Sequence, residues 1–530
     1  MKQSVRLLQD GGQGDLFEVE RRAPGERSKR KCRVVFDDRE PEQIWIGKVR
    51  LREYLEQNGG GWVFVVREVL RELPWEGFMS AYKNGGRPPY HPASMVGLII
   101  YGMIVGKSSL RQLERLARLD LGAIWVSGGI HPDHASIGRF MRFHESRITQ
   151  EFFDEVTKEV IRRVGSKCNV VAGDGTVVEA AGSRFRMLRQ EVAREKAREA
   201  LERAKESPED EGLKREAERA EKVARMADER VETRRRISNS KNRSGANAVC
   251  ETDPEAPMIK GKRGTYAPSY QPSVLANEDR LIVAQEVVRS NECEALGPML
   301  ERCKRVVGGV ETVLLDGYYC NGSVMKTAVE HNLAVLCPPR PVKQKKAGKV
   351  FSKADFRYDC EKDVYICPAN QELTRRGKGN KGASSFVRYK APYEKCKGCP
   401  LRGKCLTGSQ QRRTIERYEM DEMREAMEIA FCHTRAAPLM KRRKVMIEPV
   451  FSELRYVQGL NRFRRFGLAG AKLEFALHAA AYNIRRMIAL LARRARRSSL
   501  GGDSRGVYSF FLALLFLYYR IQGSSRARAH

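Results

Sequence analysis

Apolar residues recur at helical spacing over the first third of the chain. From about residue 43 to 165 the pattern predicts a bundle of helices joined by short turns. The segment 92–106 follows a Pro-rich turn and is apolar on nearly every face, which is typical of a core helix. The segment 108–126 begins with Ser and repeats Leu at helical spacing, which predicts a capped helix. The helical pattern continues through 133–164 with basic residues interleaved.

The period changes from helix to strand near residue 168. The predicted strands are 168–180, 271–277, 280–288, 310–319 and 333–339. The helices predicted between and after them are 291–307, 323–332, 446–457 and 472–497. Because strands alternate with helices, we expect an α/β sheet to follow the helical region.

Two segments interrupt this alternation. Residues 189–236 are rich in Ala, Glu, Lys and Arg, with opposite charges three and four residues apart. The polar break "ESPEDEG" divides them, so they predict an exposed helical hairpin with no chemistry of its own. Residues 340–440 are basic and carry Gly and the five cysteines between Cys360 and Cys405. This second segment interrupts the sheet as a separate, small subdomain.

The charge of the chain points to a partner. The chain has 98 Lys and Arg against 66 Asp and Glu, a net charge of +32. Such an excess favours a polyanion, most simply nucleic acid, over a protein that is merely basic. Basic runs at 441–445 and 461–466 favour the same interpretation. The short basic helices before residue 165 resemble a helix-turn-helix DNA reader, although periodicity alone indicates only a bundle.

Cysteine usage and apolar runs bear on the compartment. The cysteine count of 13 is odd, and the first residues lack the apolar core of a signal peptide. We therefore expect a cytoplasmic protein with reduced cysteines. The longest apolar run, 507–519, is shorter than the roughly 20 residues that a membrane helix needs. It predicts a buried or docking segment, and no membrane partner is expected.

Three carboxylates stand out by their positions. Asp174 ends a strand in "VVAGDG", Asp316 ends another in "TVLLDG", and Glu448 begins an amphipathic helix among basic residues. Two strands and a helix could bring the three together around two divalent ions about 4 Å apart. Mg²⁺ prefers such oxygen ligands and also binds phosphate. Taken singly, each Asp is more often a turn or cap residue, and the Glu suits a helix dipole. Glu179 is the rival carboxylate in the strand after Asp174.

The motifs around these residues resemble bacterial DDE transposases of the insertion-sequence-four-like branch, in a subgroup with a helical amino-terminal domain and a Cys-bearing insertion. The resemblance runs from about residue 43 to 490. The matching stretches are "GRPPYHPASMVGLIIYGMIVGKSSLRQLERLARLDLGAIWVSGG", "HPDHASIGRF", "GDGTVVEAAGSR", "LLDGYYCNGSV", "YICP…CKGCPLRGKCL" and "VMIEPVFSELR…FRRFGLAGAKLEFALHAAAYNIRRM".

The resemblance implies a fold and a domain plan. The fold is α/β, with a ribonuclease-H-like catalytic domain, an all-α amino-terminal domain, a charged helical hairpin insertion and a small Cys-containing insertion. The implied segments are a flexible basic amino terminus (1–42), a helical DNA-binding domain (43–165), the first part of the catalytic domain (166–340, with the hairpin at 185–240), the Cys-bearing insertion (341–440), the second part of the catalytic domain with the Glu helix (441–498) and a tail (499–530).

The resemblance also implies an activity. Asp174, Asp316 and Glu448 would bind two Mg²⁺ or Mn²⁺ and cut DNA at the ends of a mobile element, after which the freed 3′-hydroxyl would attack target DNA. The partners would be terminal inverted repeats and target DNA, held by a homodimer or larger assembly near the bacterial nucleoid. The glycines beside Asp174 would leave room for ions and a DNA phosphate. Three alternatives stay open: a nuclease of the same fold that does not join ends, an inactive DNA-binding descendant, and an RNA-binding protein.

The basic residues after Asp316 are expected to contact phosphates. They are Arg443, Lys444, Arg455, Arg462, Arg464 and Arg465. The chain departs from the branch here, because Lys441 and Lys444 stand where a Tyr and an Arg are usual, and Arg455 replaces a Lys. Lys and Arg hold phosphate differently, so the contact to the DNA end is altered. The second motif also reads "DGYY" in place of Asp-Ala-Gly-Tyr.

Four cysteines have spacing compatible with zinc. Cys367, Cys396, Cys399 and Cys405 combine a C-x2-C pair with two outlying thiols, which could hold one tetrahedral ion. The alternative is four reduced cysteines in a small basic subdomain.

Overall fold

A computed structural model describes residues 35–83, 88–237, 248–261, 264–338, 351–381, 384–432 and 436–499. Most of the expected flexible amino terminus and nearly all of the predicted tail, including the apolar run 507–519, lie outside these residues. Among the helices that are described, none is both long and apolar enough to cross a bilayer.

The amino-terminal region is helical after a two-stranded hairpin. The hairpin is β1 (Trp45–Ile46) and β2 (Val49–Arg50). The helices are α1 (Leu51–Gln57), α2 (Trp62–Arg71), α3 (Glu76–Met79), α4 (Pro92–Ile104), α5 (Leu110–Leu119), α6 (Leu121–Ser127), α7 (His134–Phe143), α8 (Glu145–Arg147) and α9 (Phe153–Val164). Every residue of α4 is buried, as its continuous apolar pattern predicts.

The segment predicted as one helix over 108–126 is two helices. Ser109 begins α5 with a capping box to Gln112. Asp120 then ends α5 in an extended conformation and caps α6, because its Oδ1 accepts the N–H of Ala123 at 2.9 Å. The Tyr101 hydroxyl donates to the same carboxylate at 2.7 Å, which holds the break against α4.

The central sheet has the ribonuclease-H-like strand order. Its strands, with the short ribbons beside it, are β3 (Val170–Gly175), β4 (Val178–Glu179), β5 (Met187–Leu188), β6 (Val249–Cys250), β7 (Met258–Lys260), β8 (Tyr266–Asn277), β9 (Ile282–Val288), β10 (Thr312–Leu314) and β11 (Ala334–Leu336). Across the main sheet the order is β9-β8-β3-β10-β11, in which β8 is antiparallel to both β9 and β3 while β10 and β11 are parallel to β3. The carboxyl ends of β3, β9 and β10 therefore lie along one edge.

The crossover helices and the charged hairpin follow the predicted pattern, whereas the strands of the cysteine-bearing insertion were not predicted. Helix α10 (Gln190–Glu206) and α11 (Glu211–Ile237) form the charged hairpin. Helix α12 (Leu296–Val307) joins β9 to β10, and α13 (Gly322–Glu330) joins β10 to β11. The cysteine-bearing insertion is an antiparallel sheet of β12 (Arg357–Asp359), β13 (Val364–Ile366), β14 (Glu372–Lys381), β15 (Ser384–Lys390) and β16 (Thr414–Tyr418), with helices α14 (Tyr393–Lys397), α15 (Arg402–Cys405) and α16 (Asp421–Cys432).

Two long helices complete the chain. Helix α17 (Ala436–Tyr456) packs on β3, β8 and β10, and α18 (Gly467–Ser499) packs on α4, α9 and β9. The apolar core is consequently continuous from the amino-terminal helices through α18 to the sheet. Asn483 of α18 joins three elements, because its side chain bonds the N–H and the carbonyl of Ile282 at 2.8 Å and Thr157 Oγ1 at 3.1 Å. The predicted boundary near residue 165 therefore divides the sequence but not the core.

Candidate active site

Asp174 lies near the carboxyl end of the innermost strand. Val171 and Ala172 are fully buried in β3, and Asp174 follows them half-buried at the sheet edge. Its Oδ1 accepts the N–H of Gly175 at 3.0 Å. The flanking glycines are required by close packing: a Cβ at Gly173 would lie 2.5 Å from Leu315 Cδ2, and one at Gly175 would lie 2.1 Å from Glu292 Oε2. The room that we expected these glycines to leave for ions and phosphate is taken by protein side chains.

Asp316 occupies the matching place on the next strand. Strands β3 and β10 are parallel neighbours with Ala172 opposite Leu314, and each Asp comes two residues after that pair. The two carboxylates therefore leave adjacent strands at the same edge. Oδ1 of Asp316 accepts the N–H of Tyr318 at 2.8 Å and caps a short 3-10 turn, which ends the predicted strand 310–319 early.

A third carboxylate lies at this edge, and the sequence analysis did not predict it. Glu292 begins a 3-10 turn just after β9, and its carboxylate lies against Gly175. Burial, and then the charges of Asp174 and Asp316, together raise the pKa of Glu292 to about 7, while Arg443 opposes them. The available signal was topological: β9 runs parallel to β3, so an acid directly after β9 reaches the same edge.

Glu448 lies on the helix that covers this edge. Arg443, five residues earlier on α17, is buried; its Nη2 lies 3.4 Å from Asp174 Oδ1 and donates to the Gly173 carbonyl at 3.1 Å. Glu448 itself is exposed to solvent. Among the residues with described positions, no group of three or more Asp, Glu, His or Cys is already arranged to hold a metal ion. The structure thus brings Asp174 and Asp316 together with Glu292, and leaves Glu448 facing solvent on the adjacent helix.

Several of the basic residues predicted to contact DNA make internal contacts. Arg455 donates to Thr176 Oγ1 and, at 2.7 Å, to the carbonyl of Val177. Arg462 donates to the carbonyls of residues 180, 181 and 182 at 2.8 to 3.0 Å. Both residues hold the turn that follows β3, and Arg443 holds β3 itself.

The remaining basic residues differ in exposure. Lys444 is exposed, as is Arg464, whose Nε donates to Ser108 Oγ at 3.2 Å. Arg465 is half-buried against Met141, and burial lowers its pKa. Phosphate contact by these residues stays a prediction, with Lys444 and Arg464 the most accessible of the group.

Two buried hydroxyls complete the surroundings of the carboxylates. Ser273 Oγ would lie 3.0 Å from a Cβ at Gly175, and Tyr319 is fully buried in the turn behind Asp316. Within the described part of the chain, neither hydroxyl bonds a carboxylate or a backbone group, and the two lie within reach of each other. Burial, and then the charges of Glu292 and Asp174, raise the pKa of Tyr319. Like-charged carboxylates beside buried hydroxyls are an oxygen-rich donor set that fits a hard divalent cation.

The four predicted zinc cysteines lie in one small subdomain, but among the described residues no three of them are already arranged to hold a metal ion. Cys367, Cys396 and Cys405 pack against the small core of the inserted sheet. Burial raises the pKa of the Cys405 thiol, and the other three thiols raise it further while Arg413 opposes them. Cys360 is exposed and apart from this group.

Two family models match parts of this chain. The model of the transposase DDE domain matches residues 366–488. This segment contains Glu448 but neither Asp174 nor Asp316. The model of a second transposase domain, DUF772, matches residues 53–142 in the helical region. No curated protein sequence matches the chain. A solved structure, "Cryo-EM structure of piggyBac transposase synaptic complex with hairpin DNA", is similar over 89% of this chain and 80% of that chain, at 10% identity and a TM-score of 0.32. Two separate parts of the chain are therefore similar to transposase domains, and one of these domains is a DDE domain.

Proposed function

We propose that this chain is a DNA transposase, which cuts element ends and joins them to target DNA through Asp174, Asp316 and Glu448. The observation that carries the proposal is the register of β3 and β10, which sets Asp174 and Asp316 side by side at one sheet edge. Helix α17 covers this edge, with Arg443 on Asp174 and Glu448 on the same helix. We also infer that the chain belongs to the insertion-sequence-four-like branch, from the motifs that it shares with that branch.

The proposed reaction has two phosphoryl transfers. Water attacks the phosphorus at the element end, the P–O bond to the 3′-oxygen breaks, and a free 3′-hydroxyl remains. That hydroxyl then attacks a phosphorus of target DNA, which forms one P–O bond as another breaks. Neither step needs a covalent bond to the protein. Arg443 holds Asp174 and the end of β3 in place during both steps.

We propose two Mg²⁺ or Mn²⁺ ions as cofactors, held by these carboxylates. When bound, such ions neutralise charge on the transferred phosphoryl group and acidify the attacking hydroxyl. The buried hydroxyls of Ser273 and Tyr319, which lie beside the carboxylates and within reach of each other, support an oxygen-rich cation site at this edge.

The test uses DNA that carries the inverted repeats flanking the gene. Asp174→Asn and Asp316→Asn should each lower strand transfer at least about 100-fold, because a metal ligand is worth several kcal/mol. Glu179→Gln is the matched control, since Glu179 lies on the neighbouring strand β4 and should leave the rate near that of the wild type.

The outcomes separate the alternatives. Cleavage of uncut element ends, without joined product from precleaved ends, would indicate a nuclease of the same fold. An Asp174→Asn variant with unchanged activity would contradict the proposed site. DNA binding without any cleavage by the wild type would indicate an inactive descendant, and tighter binding to RNA than to the repeats at matched salt would indicate an RNA-binding protein.

We propose that Lys444 and Arg464 contact DNA phosphates beside the cut, together with the helices α5 to α7. Both ends of an element must be held at once, so we propose that the transposase acts as a homodimer or larger assembly at the bacterial nucleoid. We further propose one structural Zn²⁺ on Cys367, Cys396, Cys399 and Cys405, supported by the mutual proximity of these thiols.

A further inference from the structure

We infer that Glu292 is a further metal-binding carboxylate of the active site, which holds a divalent cation together with Asp174 and Asp316. The inference rests on the proposed function of this sheet edge and adds a residue outside both segments that the family models match.

The topology brings Glu292 to this edge. Strand β9 is antiparallel to β8, and β8 is antiparallel to β3, so β9 and β3 run in the same direction. Glu292 follows β9 after a short turn, as Asp174 and Asp316 follow β3 and β10. Three strands with the same direction therefore each deliver one acid to the same place.

The side chain of Glu292 points across the edge to the first Asp. Its Oε2 lies 2.1 Å from where a Cβ of Gly175 would stand, directly beside Asp174. The absence of a side chain at position 175 is thus what admits the Glu292 carboxylate. Any other residue there would push the carboxylate away from Asp174 and Asp316.

A structural role for this carboxylate has no support in its contacts. Asn291 caps the turn, because its Oδ1 accepts the N–H of Cys293 at 3.2 Å, and its Nδ2 donates to Glu294 at 3.2 Å. Of the residues with described positions, none donates a hydrogen bond to Glu292 or pairs with it within 4 Å. An acid placed among acids without a donor either keeps its proton or binds a cation, and Arg443 offsets only part of the repulsion here.

The buried hydroxyls give a second, independent indication of a ligand. Ser273 and Tyr319 are both fully buried beside this group; their hydroxyls lie within reach of each other, and among the described residues neither bonds a carboxylate or a backbone group. A bond between the two hydroxyls uses only one of their two protons, so one O–H remains without an acceptor. An unpaired buried O–H is costly, and a hydrated cation supplies the water that pairs it. The carboxylates do not yet converge on one point. A bound cation would have to draw them together by offsetting their mutual repulsion.

The experiment measures Mn²⁺ binding to the full-length, DNA-free protein by electron paramagnetic resonance. Glu292→Gln should weaken Mn²⁺ affinity at least about tenfold and should abolish the rise in melting temperature that Mn²⁺ gives the wild type. In EDTA the same variant should melt no lower than the wild type, because Gln removes a charge that Asp174 and Asp316 repel.

Glu294→Gln is the matched control. Glu294 lies two residues away on the same turn and is exposed, and the one side-chain bond described for it is to Asn291, so its variant should bind Mn²⁺ as the wild type does. If Glu292→Gln lowers the melting temperature in EDTA, Glu292→Asp serves as the second variant. A Mn²⁺ affinity of Glu292→Asp between those of Glu292→Gln and the wild type supports the inference. A Mn²⁺ affinity equal to that of Glu292→Gln contradicts it.

Failure of this inference is distinct from failure of the proposed function. Wild-type Mn²⁺ affinity in Glu292→Gln, with weakened binding in Asp316→Asn, would overturn the role of Glu292 and leave the proposed site intact. Unchanged affinity in Asp174→Asn and Asp316→Asn would overturn the proposed metal site itself.

Discussion

Arg443 and Lys444 are adjacent on α17, but their side chains have different environments. The Arg443 guanidinium is buried against Asp174 and the Gly173 carbonyl, whereas Lys444 is exposed. A basic run in a sequence therefore contains both structural and DNA-facing charges, and only the exposed ones are free to meet phosphate.

Replacing these two residues should separate the two roles. Arg443→Met should lower the free energy of unfolding by about 3 kcal/mol, because it leaves a buried carbonyl and Asp174 without their partner. Lys444→Met should change it by less than about 0.5 kcal/mol. The Lys444 variant should instead reduce the slope of log DNA affinity against log salt by about 1. Chemical denaturation measures the loss of stability, and DNA binding at several salt concentrations measures the slope. Equal losses of stability in the two variants would contradict the structural role of Arg443.

The burial of His478 predicts that the stability of the core falls at acidic pH. It is buried in α18 beside Gln458, and burial lowers its pKa to about 3, with a further contribution from Arg464. Between pH 6.5 and about 3 the unfolded chain binds a proton that the folded chain excludes, so stability falls as pH falls. His478→Gln should make the dependence of the melting temperature on pH less steep over this range. An unchanged slope would show that His478 is not buried in its neutral form.

At the same scale, sequence reasoning found two of the three clustered acids. Asp174 and Asp316 could be predicted because each directly ends an apolar run. Glu292 comes after a polar stretch, "RSN", and belongs to the site only through the direction of β9. The apolar pattern of a sequence locates the ends of strands. It does not give the direction of a strand, because this depends on how the whole sheet is assembled.

At the scale of elements, the periodic segments were predictable and the breaks between them were not. The helical hairpin and the buried helix α4 follow from composition and periodicity. The break at Asp120 depends on the Tyr101 hydroxyl of another helix, which no local pattern contains. The inserted sheet β12 to β16 was not predicted either, because its strands carry many charged and glycine residues on exposed faces.

The inserted sheet should depend on its thiols if they hold zinc. Purified protein should contain about one zinc per chain, and a chelator should lower the melting temperature of this subdomain. Cys399→Ser should remove the metal, whereas Cys360→Ser should keep it, because Cys360 is exposed and lies apart from the other four. Metal analysis of the two variants makes the test. Zinc-free wild-type protein with unaltered stability would favour four reduced cysteines.

At the scale of the whole molecule, α18 unites regions that are distant in sequence. It packs on α4, α9 and β9 within one core. Periodicity identified α18 as an amphipathic helix, but it could not identify its partners, because an apolar face does not specify which surface covers it. The predicted domain boundary therefore placed α18 with the catalytic sheet alone.

Substitution of Asn483 tests whether α18 connects the amino-terminal helices to the sheet within one core. Asn483→Ala should lower the free energy of unfolding by about 2 to 3 kcal/mol, because the N–H and carbonyl of Ile282 lose buried partners. All four Trp residues lie in the amino-terminal region, so their fluorescence reports its unfolding. We expect this fluorescence transition to shift although Asn483 lies far away in sequence. Thr157→Val should cost less, since Ile282 keeps both bonds; an unshifted transition would indicate separate cores.

The position of α18 near the end of the core has a consequence for synthesis. The ribosome completes α4 and α9 some 300 residues before it completes the helix that covers them, so the core cannot close until nearly the whole described chain has emerged. A copy of the gene shortened before Gly467 would leave the apolar faces of α4 and α9 exposed to water. Such a product should be degraded rather than persist as a free DNA-binding fragment, and an element damaged in this way would not inhibit its intact relatives.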